Sequence, residues 1–195
     1  LTISAMRGGA GAGGAFLALA ADRVYARDGA ILNPHYKGMG NLYGSEYWTY
    51  LLPRRVGAAQ ARTLTQNRLP ISTRTAKRLG LIDDHFGTGP GDFQERIVEI
   101  AEGLANDPDC PGKLVEKRRR RQHDEDEKPL ESYRAEEMER MKLNFYGFDP
   151  SYHVARYNFV FKVPHSWTPL HLAVHRLGDR RVNASPPTRI RAQTP

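Results

Sequence analysis

The alternation of apolar and polar residues predicts a close succession of short elements at the start of the chain. Residues 1–6 alternate enough to form a buried strand, and an apolar run at 16–21 predicts a helix over about 13–21. Two further strands are expected at 23–26 and 30–32, joined by a tight turn at Asp28-Gly29. The pattern therefore predicts an α/β unit.

The segment 33–43 interrupts this regular pattern. It contains Pro34, Gly38 and Gly40, which make it too irregular for an element of the core. Loops of this kind often carry functional side chains on a rigid scaffold. We therefore expect candidate site residues in or beside this loop.

Helical periodicity dominates the rest of the chain. Ser45 is expected to cap a helix that ends near residue 52, with further helices over 58–65 and 72–80 and a strand at 81–86. Two apolar stripes then recur at helical spacing: Phe93, Ile97, Ile100, Ala101 and Leu104, and later Leu130, Tyr133, Met138, Met141 and Phe145. We interpret both stripes as core packing rather than as contacts to a cofactor.

Composition and charge narrow the classes of function. The formal net charge is +7, but the basic run 117–121 is followed at once by the acidic run 124–127, so the two can neutralise each other. This favours a solvated helix face or linker over a nucleic-acid site. The residues from 179 to 195 have the composition of a disordered tail.

The compartment follows from the same composition. No apolar run approaches the ~18 residues that a membrane helix needs, so no membrane partner is expected. Cys110 is the one cysteine, which suits a reducing compartment, and we predict a cytoplasmic protein. Cys110 lies beside Pro111 in a predicted loop, and nothing near it favours a reactive thiol.

The glycine- and alanine-rich stretch before the first helix is the candidate for chemistry. A backbone without bulky side chains can approach a ligand closely, and the N–H groups at the helix start favour negative charge. Such a turn serves either phosphate binding or an oxyanion hole. Because no Gly-Lys-Ser/Thr follows residues 8–15, the oxyanion hole remains.

Together these motifs resemble the crotonase, or enoyl-CoA hydratase/isomerase, superfamily. The resemblance rests on residues 8–22, Asn33-Pro34, 52–57 and 76–83, in the order typical of the family. It implies an α/β fold, a partial spiral of ββα units over 1–90. A helical C-terminal extension is expected over 91–178, and the tail follows over 179–195. Because the chain starts within a strand pattern and without Met, the resemblance implies a fragment whose upstream repeats are missing.

One branch of the superfamily, found in hydrogenase maturation factors, is similar in more detail. The similarity lies in residues 33–48, 145–149 and 168–176. It implies that the chain binds the coenzyme A thioester formyl-CoA and releases carbon monoxide and free CoA, without a metal. The carbon monoxide would become a ligand of the iron in a [NiFe]-hydrogenase. Formyl-tetrahydrofolate would supply the formyl group to an absent upstream half, and hydrogenase maturation proteins would be partners.

The resemblance also assigns site residues. Gly13 would provide half of an oxyanion hole through its backbone N–H, the other donor lying upstream. Tyr36 and Glu46 would form the catalytic pair. The two glutamates of a hydratase are replaced by Phe16 and His35, which argues against water addition.

The residues alone leave other interpretations open. Glu46 could be a helix-capping acid in the first turn of the helix after Ser45, where the helix dipole favours an ionised carboxylate. Tyr36 could simply pack the loop. His35 and Ser45 could each line the pocket or be structural.

Two other functions also remain possible at this stage. Glu46 could act alone in a different crotonase reaction, such as isomerisation or thioester hydrolysis. The chain could also be a non-catalytic piece that binds CoA or a partner. The histidines at 85, 165, 171 and 175 form no array typical of a metal site.

Overall fold

A computed structural model describes residues 1–67 and 69–163 of the chain. Its strands are β1 (Ile3–Met6), β2 (Ala10–Gly11), β3 (Arg23–Arg27), β4 (Ile31–Asn33), β5 (Ile71–Ser72) and β6 (Asp84–Phe86). Its helices are α1 (Ala12–Leu19), α2 (Trp48–Val56), α3 (Ala58–Gln66), α4 (Thr73–Arg78), α5 (Pro90–Ala105), α6 (Cys110–Glu127), α7 (Leu130–Tyr146) and α8 (Ser151–Val160), with a 3-10 turn at Lys37–Met39. The predicted tail and the histidines at 165, 171 and 175 lie outside the described residues.

Two small sheets organise the first part of the chain. In one, β3 lies between β1 and β6 and is parallel to both, with Ile3 opposite Arg23 and Tyr25 opposite Asp84. In the other, β4 is parallel to β2 and antiparallel to β5. Helix α1 connects the two sheets and contacts strands of both. This mixed arrangement is the crotonase-like α/β fold that the sequence predicts.

The core lies between α1, the sheets and α2. Phe16, Leu32, Leu52 and Leu81 are each fully buried there. Burial of one such side chain contributes about 1.5–3 kcal/mol. Helix α1 buries residues 15, 16, 18 and 19, and its glycine-rich N-terminal turn lies beside Tyr36 and Glu46, which follow β4.

Most predicted elements in the first 86 residues are present, with shifted ends. The helix predicted at 72–80 is α4, and the Ser72 side chain accepts a hydrogen bond from the Thr75 N–H at 3.2 Å. The prediction that Ser45 caps the next helix is wrong, because α2 begins only at Trp48, after Tyr47 in a left-handed conformation (φ 56°). The prediction of a loop at Cys110 is also wrong, since α6 begins there.

The later helices pack back onto α2. Asp124 of α6 accepts a hydrogen bond from the Tyr50 hydroxyl at 2.9 Å and forms an ion pair with Arg54. Helix α7 also contacts α2, and α8 contacts the 3-10 turn. The division into a core over 1–90 and an extension over 91–178 stays a prediction, but α6 to α8 clearly lie against the segment that follows β4.

The charged runs of α6 neutralise each other only in part. Arg121 pairs with Glu125 at 2.5 Å, whereas Lys117 reaches Asp22 at 2.6 Å and Arg119 pairs with Glu116 at 3.0 Å. Residues 118–120 are exposed, so the interpretation of this run as a solvated helix face is confirmed. Over residues 1–67 and 69–163, no helix has the length and apolar character needed to cross a membrane.

Candidate active site

Tyr36 and Glu46 meet beside the first turn of α1. The Tyr36 hydroxyl donates a hydrogen bond to Oε2 of Glu46. Tyr36 is 7% exposed, and its ring stacks on buried Phe16 with a centroid distance of 5.7 Å. Glu46 is exposed, so one member of the pair is embedded in the core and the other is open to solvent.

Gly13, the second residue of α1, lies beside this pair. A Cβ atom at Gly13 would lie 3.2 Å from Oε1 of Glu46 and 3.4 Å from the Tyr36 hydroxyl. The first N–H groups of a helix have no partner within the helix. The structure therefore brings the predicted oxyanion glycine and the predicted acid–base pair to one place.

Gly44 makes room for the Tyr36 ring. Its φ is +82°, and a Cβ atom there would stand only 2.3 Å from the ring carbon Cε2 of Tyr36. Both the left-handed conformation and the close approach require glycine. Sequence analysis missed this residue, although a glycine directly before Ser45-Glu46 is a visible signal.

Glu46 lies in a turn before α2 and not in the helix itself. It lies two residues before α2, so the predicted stabilisation of Glu46 inside the first helical turn is wrong. The left-handed Tyr47 separates Glu46 from that turn. Instead, the backbone N–H of Ser45 donates to Oε2 of Glu46 at 3.0 Å, next to the Tyr36 hydroxyl.

The two oxygens of the Glu46 carboxylate therefore have different surroundings. Oε2 accepts the bonds from Tyr36 and Ser45, while Oε1 faces the backbone of Gly13. Burial, together with the hydrogen bond to the Glu46 carboxylate, raises the pKa of Tyr36 well above its usual range. Tyr36 consequently stays protonated and acts as a donor.

The two positions at which a hydratase glutamate is expected carry no acid. Phe16 is fully buried and packs between Tyr36 and Trp48, whose ring centroid lies 6.3 Å away. His35 is 7% exposed, and its Nδ1 accepts a hydrogen bond from the Lys37 N–H at 3.1 Å. The structure therefore places no carboxylate at either of these two positions.

Helix α7 supplies two polar groups that sequence analysis missed. Glu137 is fully buried and accepts hydrogen bonds from the Tyr47 and Thr49 N–H groups, both at 2.8 Å. Burial raises the pKa of Glu137 even though these bonds oppose the shift. Asn144, also on α7, accepts from the Tyr43 N–H at 2.9 Å. An acidic residue within the apolar stripe of α7 was the available signal.

Of the four histidines considered as metal ligands, only His85 lies among the residues that the structure describes. His85, in β6, contacts Asp28 at 2.5 Å. Over residues 1–67 and 69–163, no three His, Cys, Asp or Glu side chains are grouped so that they could hold a metal ion.

Comparisons with known proteins place this chain in a family. The model of the enoyl-CoA hydratase/isomerase family matches residues 1–164. The hydrogenase maturation factor HoxX of Bradyrhizobium diazoefficiens is 59% identical over 177 residues, which are 91% of this chain and 31% of that protein. This identity confirms the resemblance to the hydrogenase maturation branch.

Solved structures agree with the observed architecture. HypX from Aquifex aeolicus in complex with tetrahydrofolic acid has a TM-score of 0.82 and 50% identity over 90% of this chain and 31% of that one. An enoyl-CoA hydratase/isomerase from Pseudoalteromonas atlantica has a TM-score of 0.66 at 21% identity, over 84% of this chain and 63% of that one. The chain thus spans 31% of the length of the maturation factors that it matches.

Proposed function

The chain belongs to the enoyl-CoA hydratase/isomerase family, and on that premise we propose that it decarbonylates formyl-CoA to carbon monoxide and free CoA for hydrogenase maturation. The observation that carries this proposal is the hydrogen bond between Tyr36 and Glu46 beside the Gly13 backbone. The similarity to HoxX and HypX supports the hydrogenase context. The substrate is a thioester, and the reaction needs a base, a proton donor and a site for oxygen charge.

The reaction is a transfer of one proton from carbon to sulfur. A base removes the formyl hydrogen as a proton, and the electrons of the C–H bond remain on carbon as the lone pair of carbon monoxide. The C–S bond breaks, and its electrons leave with the CoA sulfur. The thiolate then takes up a proton, so that formyl-CoA yields one carbon monoxide and one CoA thiol.

Glu46 is the base in this proposal. Its carboxylate is exposed enough to meet a substrate, and its Oε1 faces the Gly13 backbone where the thioester would bind. The bonds from Tyr36 and Ser45 hold the other oxygen in place. Positioning a carboxylate in this way contributes to general base catalysis because the reacting geometry exists before the substrate arrives.

Tyr36 is the proton donor and Gly13 the oxyanion donor. A tyrosine with a raised pKa carries its proton at neutral pH, so it can hydrogen-bond the formyl oxygen or return a proton to sulfur. The Gly13 N–H would stabilise negative charge on the thioester oxygen as the C–H bond breaks. His35 and Ser45 take supporting positions, since His35 is buried next to Tyr36 and the Ser45 backbone contacts Glu46.

The source of the formyl group and the place of action follow from the same proposal. Formyl-tetrahydrofolate would donate the formyl group, in line with the tetrahydrofolic acid bound in the HypX structure. Hydrogenase maturation proteins would receive the carbon monoxide, and the cytoplasm would be the compartment. No metal takes part in the proposed step.

The test measures two products from one reaction. Protein and formyl-CoA are mixed, carbon monoxide is followed by the absorbance of deoxyhaemoglobin, and free CoA is followed with a thiol reagent. We expect the two products in equal amounts. Free CoA with formate and without carbon monoxide would show a thioesterase and overturn the proposal.

The family match supports one alternative, an isomerase or thioesterase that uses Glu46 as its sole base. An isomerase would shift the double bond of an enoyl-CoA, and neither reaction would release carbon monoxide. Offering both formyl-CoA and a 3-enoyl-CoA to the same protein separates these possibilities. A piece that binds CoA without turnover would give none of the products.

A further inference from the structure

Helix α7 holds the segment that carries Glu46 at two points. We propose that Glu137 and Asn144, here called the α7 clamp, are positioning residues that aim Glu46 at Tyr36 and Gly13. The proposal rests on the proposed function insofar as it takes Glu46 to be the base. It makes α7 part of the active site's geometry.

Glu137 binds the backbone directly after Glu46. Its Oε2 accepts from the N–H of Tyr47 at 2.8 Å, and that N–H belongs to the peptide group that joins Glu46 to Tyr47. Its Oε1 accepts from the N–H of Thr49 at 2.8 Å and from the Thr49 hydroxyl at 2.6 Å. A shift of Glu137 would therefore move this peptide group, and with it the Glu46 Cα atom that carries the side chain.

The burial of Glu137 requires these three partners. A buried carboxylate without hydrogen bonds is strongly unfavourable, so the bonds from Tyr47 and Thr49 are what make this position possible. The N-terminus of α2 also favours a negative charge. Glu137 and the start of α2 thus form one unit, although they lie 90 residues apart in the chain.

Asn144 holds the other end of the segment. Its side-chain oxygen accepts from the N–H of Tyr43 at 2.9 Å, and its amide nitrogen donates to the carbonyl of Asn41 at 3.3 Å. Residues seven apart lie on one face of a helix, about 10 Å from each other along its axis. The clamp therefore binds the backbone on both sides of Gly44-Ser45-Glu46. These two attachments fix the conformation of the three residues between them.

The local sequence does not account for the backbone conformation on either side of Glu46. Tyr47 has a left-handed conformation and its side chain does not cap α2. Gly44 also has a positive φ, so the segment has unusual conformations on both sides of Glu46. For Tyr47, which carries a side chain, a positive φ is unfavourable and persists only where surrounding contacts determine it.

The first variant is Glu137→Gln, which keeps the size and replaces one acceptor by an amino group. That group cannot accept from either the Tyr47 or the Thr49 N–H, so one of these two bonds is lost. We expect kcat for carbon monoxide release to fall about 10- to 100-fold, because small misplacements of a catalytic group have effects of this size. The KM for formyl-CoA should change less than about twofold, since Glu137 is fully buried beneath residues 43–49 and does not contact the substrate.

The matched control is Glu139→Gln on the exposed side of α7. It removes the same charge from the same helix, and among residues 1–67 and 69–163 the ion pair that it breaks is an exposed one with Lys142. We expect parent-like kcat and KM for this control. Equal losses in both variants would indicate an effect of net charge and overturn the clamp.

A second readout does not depend on activity. Tyrosine labelled with ¹³C at Cζ gives an NMR signal for Tyr36 that is assigned by its absence in Tyr36→Phe. Glu46→Gln and Glu137→Gln should both shift this signal in the same direction, whereas Glu139→Gln should leave it in place. If the parent protein releases no carbon monoxide, the proposed function is wrong. The Tyr36 signal would still show whether Glu137 positions the Tyr36–Glu46 pair.

A folded Glu137→Gln protein with an unmoved Tyr36 signal overturns the proposal, because Glu137 would then serve stability alone. If Glu137→Gln does not fold, Asn144→Ala is the variant that tests the clamp. Asn144 is partly exposed, so its replacement disturbs folding less. A lower kcat with a shifted Tyr36 signal in that variant supports the clamp. Parent-like values of both quantities overturn it.

Discussion

The hydroxyl of Tyr36 donates to Oε2 of Glu46, and the opposite oxygen of that carboxylate faces the backbone of Gly13. The two residues are ten positions apart in the chain, and the loop between them bends back so that their side chains meet. Tyr36 packs on the core through Phe16, whereas the Glu46 carboxylate is exposed and accepts hydrogen bonds from Tyr36 and from the Ser45 N–H. The site therefore joins a rigid donor to a base that depends on the surrounding loop.

The first prediction concerns this pair. Glu46→Gln should bind CoA nearly normally and release little carbon monoxide, and Tyr36→Phe should do the same because only the hydroxyl is removed. Acid–base groups typically contribute about 100- to 10,000-fold in rate. Since the two residues share a hydrogen bond, the double variant should be scarcely worse than the worse single variant.

Carbon monoxide release and CoA binding are measured for the parent and all three variants. Parent-like release from Glu46→Gln would remove Glu46 as the base, and His35 would then be the next candidate. Fully multiplicative losses would show that the two residues act in separate steps.

A second prediction compares two neighbouring glycines of α1. In Gly13→Ala, the new Cβ would press on Glu46 at 3.2 Å and on the Tyr36 hydroxyl at 3.4 Å. We expect turnover to fall about 10- to 100-fold through displacement of the pair. In Gly14→Ala, the added Cβ has no neighbour within 4 Å among the residues that the structure describes, so turnover should be unchanged.

The free energy of unfolding of Gly14→Ala provides a control for these two variants. Alanine favours a helix over glycine by about 1 kcal/mol, so Gly14→Ala should unfold at a slightly higher denaturant concentration. Equal activity in Gly13→Ala and Gly14→Ala would exclude the close approach of Gly13 to the reacting groups.

A third prediction isolates the contact between Gly44 and Tyr36. Gly44→Ala and Gly29→Ala both place alanine at a positive φ, +82° and +80°, which costs about 1–2 kcal/mol. At Gly44 alone, the Cβ would also collide with the Tyr36 ring at 2.3 Å. Overpacking of this kind costs typically about 1–3 kcal/mol more.

Urea unfolding of both variants gives the difference directly. Gly44→Ala should be the less stable of the two and should also lose carbon monoxide release. If both variants lose the same free energy of unfolding and both keep turnover, the loop does not depend on Gly44 to place Tyr36.

The fourth prediction concerns pH and Asp83. Burial opposes ionisation of Asp83, but hydrogen bonds from Arg55 at 2.9 Å and from the Val24 N–H at 2.7 Å outweigh it and lower the pKa of this carboxyl below 3.8. A lowered pKa in the folded state contributes stability above the unfolded pKa, and this contribution disappears as the pH falls through the folded pKa.

Asp83→Asn should therefore lower the free energy of unfolding by about 1–3 kcal/mol at neutral pH, because the half-buried Arg55 loses its partner. The gap between parent and variant should narrow as the pH falls below 3.8. Asp126→Asn on the exposed side of α6 is the control and should stay within about 0.5 kcal/mol of the parent. A gap that is constant down to acidic pH contradicts the assignment.

The sequence by itself determined the elements whose signals are local. The cap at Ser72, the glycine turn at Gly29 and the apolar spacing of α1 and α5 depend on residues a few positions apart, and their energies act within one turn. The choice of Tyr36 and Glu46 came from the resemblance, since their spacing alone was also compatible with a capping acid and a packing tyrosine.

Only the tertiary structure decided where Glu46 lies. A local pattern placed Ser45 at a helix start, yet α2 begins at Trp48, where Glu137 of α7 accepts hydrogen bonds from the N–H groups of Tyr47 and Thr49. That carboxylate is 90 residues away from Tyr47 in the chain, and its contribution exists only once α7 is packed on α2 and water is excluded. A short window of sequence holds no information on such a contact, since the free energy of the cap depends on burial that the whole fold creates.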